Sequence, residues 1–396
     1  MKEIIVNCTN DKKTIIVTEN TSLLEKYEES DELERLEGNI YLGIVTDILP
    51  GMQAAFVNIG KSKNAFLHIK DILPKVSNET GNKNEDLSKY NIKDYVKVGM
   101  PLIVEVKKDK TDKKGAKVST NLNIPSKFVV LIPNMQFVTI SQKIEDKDQI
   151  ERLGKVVSNI KVNNYGIIIR TSAVNASNEE IENDIKRVIE EYENMKSRAD
   201  EYIKQNKNIS PVCLLEKGSI VDRLLLDIGS QNLGRIIVNN KDIYEKVERI
   251  IKENNLDVDV KIIDKENILD LYEIDKQIDK ITKRKVWLDC GGFIMIDQTE
   301  ALTAIDVNSG KFIGKESIEK TVLKVNMEAT EEIAKQIRAR NIGGIIIVDY
   351  IDMDTKKDEE IVLELLEKNL KKDRAKTQVV DFTKLHLLEM TRKKLY

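Results

Sequence analysis

Residues 291–312 read GGFIMIDQTEALTAIDVNSGKF. Two apolar runs flank the polar turn Gln298-Thr299-Glu300, the pattern of a β-hairpin. In the second run the two-residue period of extended backbone puts Asp306 and Asn308 on one face. Gly310 breaks that strand. From 315 to 340, Ile318, Val322, Val325, Ala329, Ile333 and Ile337 recur at three- and four-residue steps, which predicts a helix stopped by Asn341 and Gly343-Gly344. GGIIIVDYID (343–352) follows, a continuous apolar run that reads as a strand covered on both faces and ends in Asp349. A strand–helix–strand crossover makes the two strands parallel, with their carboxyl ends at one rim, where crevices form in open α/β sheets. Asp306 and Asp349 are expected to converge there.

Two carboxylates with an amide beside them suit magnesium, a hard cation that often takes one or two carboxylates and completes its shell with water and phosphate. The spacing also allows a plainer reading, in which both are strand-end carboxylates bonded to backbone N–H groups and Asn308 is a turn former. Gly310-Lys311 and Gly314-Lys315 lack the preceding glycine that a phosphate-cradling G-x-x-x-x-G-K loop requires.

Composition narrows the chemistry. The 396 residues hold two histidines, His68 and His386, which pushes hydrolytic chemistry toward carboxylates and away from His triads. Cys8, Cys213 and Cys290 are scattered, with no C-x-x-C pair, so buried reduced thiols are expected and not disulfides or a thiolate zinc site. With 64 basic and 67 acidic residues the net charge is −3, so a polyanion must be met by a local patch. No apolar run reaches the ~18 residues of a membrane span, and the start MKEIIVNCTN lacks a signal peptide's apolar core, which makes a cytoplasmic, soluble, multidomain chain the expectation.

Outward from the quoted stretch, the start reads as a hairpin, IIV (4–6) and TIIV (14–17), too small to fold alone, then a short charged helix to about 37. Short β-like runs from Gly38 to about Ser119 have the pattern of a small antiparallel barrel, interrupted by the polar VSNETGNKNED (76–86). Residues 127–173 look β-rich and 177–207 helical. Two apolar runs, IVDRLLLDI and GRIIVN, precede a helix at DIYEKVERIIKEN, and the last 180 or so residues look α/β.

AIDVNSGKF (304–312), GGIIIVDYIDM (343–353) and DRAKTQVVDFTKLHLLEMTRKK (373–394) together resemble the catalytic region of the ribonuclease E/G family. GNIYLGIVTDILPGMQAAFVNIGKSKNAFLHI (38–69) resembles that family's S1-type OB domain, and IIIRTSA (167–173) its 5′-phosphate sensor loop, so the likeness runs in order along nearly the whole chain. It implies an α/β multidomain fold: an S1-type OB β-barrel (38–120) inserted in a split ribonuclease-H-like subdomain (1–37 and 212–280), a sensor region (121–211), and an α/β DNase-I-like catalytic domain (281–396). It implies a magnesium-dependent endoribonuclease acting on single-stranded RNA, in ribosomal precursors and messengers, and leaving 5′-phosphate and 3′-hydroxyl ends. Asp306 and Asp349 would ligate magnesium and Asn308 would help position the reacting phosphate. Phe56 and Phe66 match base-stacking positions and Lys114 a basic RNA contact, while the residues read alone leave both Phe equally at home in a core. Arg170 and Thr171 match the pair that grips a 5′-monophosphate, and Val130 the residue at its terminal nucleotide.

Three departures accompany the match. Ser126 stands where the family often has Gly, Gln142-Lys143 where it often has Arg-Arg, and the usual Cys-Pro-x-Cys segment that shares zinc between subunits does not occur before Tyr396. The expectation is therefore magnesium without zinc, with a homodimer left open. Two rivals remain: a catalytically silent RNA-binding protein using the barrel, and a magnesium phosphatase acting on a small ester, which would leave the barrel without a purpose.

Overall fold

The computed structural model describes residues 1–10, 12–29, 35–72, 90–110, 114–160, 165–206, 208–229, 232–310 and 318–396. The polar stretch 76–86 and the Lys311 and Gly314-Lys315 positions lie outside them. The chain forms two compact units, Met1–Asp31 with Asn232–Tyr396, and Glu32–Gln231. No helix among the described residues is long and apolar enough to cross a membrane.

The discontinuous unit holds two sheets. In the first, strand order is Asp259–Ile262, Leu233–Val238, Lys2–Cys8, Lys13–Glu19, Ser22–Glu29. Lys2–Cys8 pairs antiparallel with its hairpin partner and parallel with Leu233–Val238, so the N-terminal hairpin is completed by a strand far along the chain. The charged segment expected to be helical is the strand Ser22–Glu29. Its burial alternates with period two: Glu25, 1% exposed, and Tyr27 are buried, while Lys26 and Glu28 are not. Glu25 is stable there because the Arg338 Nε and Nη2 groups donate to its Oε1 at 2.9 and 2.8 Å and Arg374 Nη2 donates to its Oε2 at 2.6 Å. Burial pushes its carboxyl up, but the charges and hydrogen bonds of Arg374 and Arg338 outweigh this and hold it at about 2.

The second sheet has six strands in the order Lys285–Trp287, Phe293–Gln298, Leu302–Asn308, Gly344–Asp349, Leu387–Arg392, Thr377–Phe382. Leu302–Asn308 and Gly344–Asp349 run parallel, joined by the helix Ile318–Ala339. That helix stops where Asn341 takes a left-handed φ of 50°, with Ile342 N–H returned to Ile337 O at 2.9 Å. Alternate sheet residues, Ile294, Ile296, Ile305, Val307, Ile346, Val348, Leu388 and Met390, form one core with Val325, Ala329, Ile333 and Ile337 and with Val362, Leu366 and Leu370 of the helix Lys356–Leu370. The opposite face is open, with Ile345 49% exposed. The expected two-sided covering is thus one-sided; a continuous apolar run carries no period that could tell the cases apart.

In the second unit Ile40–Leu49, Ala54–Asn58, Ala65–His68, Lys117–Ser119 and Pro101–Lys108 close into a five-stranded barrel of OB type, the first strand pairing with the last. Its interior is Val45, Ala55, Val57, Ala65, Leu67, Val104, Val106 and Val118. A four-stranded sheet, Phe137–Ile140, Gly166–Ile169, Val129–Ile132, Ile124–Pro125, follows, packed with the helices Lys147–Asn159 and Asn178–Gln205. The first of these helices interrupts the segment read as β-rich, started by the Asp146 side chain accepting from Asp148 and Gln149 N–H. IVDRLLLDI is the helix Ile220–Ile228, with a Ser219–Asp222 capping box. None of the three cysteines is in a disulfide, but Cys213 is exposed on Val212–Leu215 and the other two are half-buried, which corrects the expectation of buried thiols. Val212–Leu215 lies at the sheet's edge and shields little.

Candidate active site

The carboxylates stand on the open face of the six-stranded sheet. Asp306 and Asp349 are directly opposed in the parallel register, and Asp349 is the last residue of its strand. Both are exposed. Asn308 Nδ2 donates to Asp306 Oδ2 at 2.7 Å, so the amide turns that carboxylate and uses one of its lone pairs. Burial, then the charges of Asp306 and Asp352, push the Asp349 carboxyl above its ordinary range. Among the described residues no group of three or more His, Cys, Asp or Glu could hold a metal ion, so a cation here would rest on the two aspartates together with water or substrate oxygens.

The loops behind the site are tightly fitted. A Cβ on Gly310, whose φ is 60°, would lie 2.5 Å from Gly291 O, so only glycine lets the strand end pass the 289–292 turn. Glu328 accepts from Cys290 N–H at 3.0 Å on the same turn. The fully buried Asn326 grips the chain just past Asp349, donating to Ile351 O at 2.8 Å and accepting from Ile351 N–H at 3.2 Å.

On the barrel, Phe56 and Phe66 face each other across paired strands, with ring centroids 6.2 Å apart and an interplanar angle of 70°. Both are half-buried and absent from the barrel core, which is built from their neighbours Ala55, Val57, Ala65 and Leu67. The core alternative for these two is thereby removed. His68 continues the aromatic row, 6.4 Å from Phe66. Lys114 is exposed, three residues before Lys117, which registers against Phe66.

Arg170 directly follows Gly166–Ile169, and Val130 registers against Ile168 in the adjoining strand. Arg170 is not a solvated side chain. Its Nη1 donates to Ser126 O at 2.6 Å and its Nη2 pairs with Asp227. Thr171 opens the short 3₁₀ turn Thr171–Asn175. Ser126 is a buried polar node: its Oγ donates to Asp184 Oδ1 at 2.6 Å and accepts from Arg187 at 2.8 Å.

Residues 123–395 match the ribonuclease E/G family, and residues 36–121 match the S1 RNA binding domain. The chain belongs to the ribonuclease E/G family. It is 37% identical to Ribonuclease G of Escherichia coli (strain K12) and 36% identical to Ribonuclease G of Salmonella typhimurium (strain SL1344), each over 99% of this chain and 80% of the relative. It is also 33% identical to Ribonuclease E of Buchnera aphidicola, over all of this chain and 40% of that protein.

Several groups that shape the site in this ribonuclease E/G chain escaped sequence reading. Asn326 is a polar residue on the apolar side of a strongly periodic helix, a signal that was available. Asp352 sits within the quoted strand–turn segment. Asp227 lies 57 residues from Arg170 in an apolar run, and only the fold brings the two together.

Proposed function

We propose that this endoribonuclease of the E/G family cuts single-stranded RNA at the Asp306–Asp349 pair and leaves 5′-phosphate and 3′-hydroxyl ends. The register carries the reading: two carboxylates stand side by side on an open sheet face, one of them fixed by the Asn308 amide. The donor set fits a hard divalent cation: burial first, and then the neighbouring charges of Asp306 and Asp352, raise Asp349, and a cation between the two carboxylates would offset both effects. Magnesium held by Asp306 and Asp349 would supply Lewis acidity toward the phosphoryl oxygens and a water of lowered pKa.

The chain's own residues do the positioning. Asn308 keeps the Asp306 carboxylate turned, and Asn326 sets the backbone beyond Asp349. Phe56 and Phe66 offer rings for sequence-tolerant base stacking, worth roughly 1–3 kcal/mol per base, with Lys114 as a basic contact. Such a surface reads flexible strands better than duplexes, which favours ribosomal precursors and messengers in the cytoplasm as substrates. Cleavage of a short fluorescent 5′-monophosphate RNA with magnesium, and its loss in EDTA, is the test. Equal cleavage in EDTA refutes the metal assignment, and tight binding with no cleavage refutes the nuclease reading.

Arg170 and Thr171, with Val130 beside them, are the grip for a terminal 5′-monophosphate. A guanidinium has five N–H donors, and those engaged by Ser126 and Asp227 orient the fork without exhausting it. Arg170→Ala is expected to lower the preference for 5′-monophosphate over 5′-hydroxyl RNA about tenfold, the value of one charge-assisted contact, while leaving cleavage of 5′-hydroxyl RNA in place. An unchanged ratio in paired kcat/KM measurements excludes the sensor role.

A further inference from the structure

The open face of the catalytic sheet continues past the carboxylates to an aromatic pair. Phe293 registers against Asn308 on one side and Trp287 on the other, while Met295 registers against Asp306 and Lys285. Directly opposed residues share a face, so these two rows run from the Asn308–Asp306 pair to Trp287 and Lys285 on the same side of the sheet. Two strand spacings, about 10 Å, separate Trp287 from Asn308, within reach of a neighbouring nucleotide.

Trp287 is 63% exposed, on the strand that ends the sheet. Its ring meets Phe293 edge to face at 5.4 Å and 64°. Lys285 Nζ lies 3.9 Å from the Trp287 ring centroid and 3.6 Å from that of Phe293. Most of the largest apolar side chain in the chain is thus left in water, with a cation held against it. An aromatic platform with a basic group is the equipment for a single-stranded nucleic acid: the ring takes a base, and the ammonium offsets its phosphate. The cation has a second use here, since the nearby aspartates repel a polyanion.

We propose that Trp287, Phe293 and Lys285 form a stacking subsite for the nucleotide next to the scissile phosphodiester. The assignment rests on the reading of Asp306 and Asp349 as the cutting centre. Trp287 is the chain's one tryptophan, so intrinsic emission reports on this position alone.

The test titrates the full chain, in EDTA, with a short oligouridylate, and follows binding separately by anisotropy of a labelled copy. Trp287 emission is expected to be quenched with the same midpoint as the anisotropy rise. With magnesium, Trp287→Ala is expected to raise KM about tenfold with little change in kcat, and Trp287→Phe to restore most of the loss. RNA binding with unchanged emission overturns the subsite, as does a blue shift that follows protein concentration without RNA, which would mark this face as covered by a second copy. Quenching without any cleavage under magnesium supports the stacking site and refutes the cutting centre, so the two failures are distinguishable.

Discussion

Asp306→Asn is expected to lower kcat for single-stranded RNA by about 10³-fold or more while RNA affinity stays within a few-fold. The reasoning is local. Asp306 is exposed on the open sheet face, its side chain bonded to Asn308, and no core contact depends on its charge. The substitution leaves the fold intact and removes one of two anionic oxygen donors. Metal assistance to phosphoryl chemistry is worth several kcal/mol, and each ~1.4 kcal/mol is a factor of ten in rate. Asp349→Asn should match it, because the two carboxylates are register partners and act as one unit. Single-turnover cleavage with saturating magnesium, beside filter binding, checks both. Cleavage near the wild-type rate in both variants would sink the assignment of these residues.

Glu25→Gln is expected to destabilise the discontinuous unit by roughly 3–5 kcal/mol, the usual penalty for removing one partner of a buried charge cluster. Arg338 and Arg374 would be left around a neutral acceptor, with Arg374 keeping a bond to the Tyr396 hydroxyl at 2.8 Å. The pH dependence follows from the depressed carboxyl. Glu25 titrates at about 2 in the folded chain against 4.5 as its ordinary value, so its contribution is full above about 4.5. It is lost as pH falls from there through 2. Urea unfolding should therefore separate wild type and Glu25→Gln by a constant gap near neutrality that narrows in acid. A gap that is absent at pH 7, or that widens below 4.5, contradicts the buried-pair account. Replacing Glu25, Arg338 and Arg374 together by apolar residues of similar volume should recover much of the loss, since burying no charge avoids the desolvation cost.

The region around Asp306 and Asp349 was legible because each inference there used a local period. Alternation placed Asp306 with Asn308, three- and four-residue steps gave the helix, and one crossover rule made the strands parallel. The strand Ser22–Glu29 was illegible for the opposite reason. Its charges look like a solvated helix face unless Arg338 and Arg374, 313 and 349 residues away, are known to lie beside Glu25. The Arg170–Asp227 pair fails in the same way. Trp287 and Phe293 were visible as residues, but their shared row depends on the register across the 288–292 turn, which no period in either short strand specifies.

The parallel pairing of Lys2–Cys8 with Leu233–Val238 has a consequence for synthesis on the ribosome. The hairpin emerges first, yet the strand that pairs with its open edge follows only after the two hundred residues Glu32–Gln231. At ~5–20 residues per second that delay is roughly 10–40 s. During it the barrel unit can form from its own contiguous stretch, while the nascent hairpin presents an unpaired edge made of Ile4, Ile5 and Val6. A ribosome stalled within the insert would hold this edge open, and pausing there should make the nascent chain dependent on chaperones that shield apolar strands.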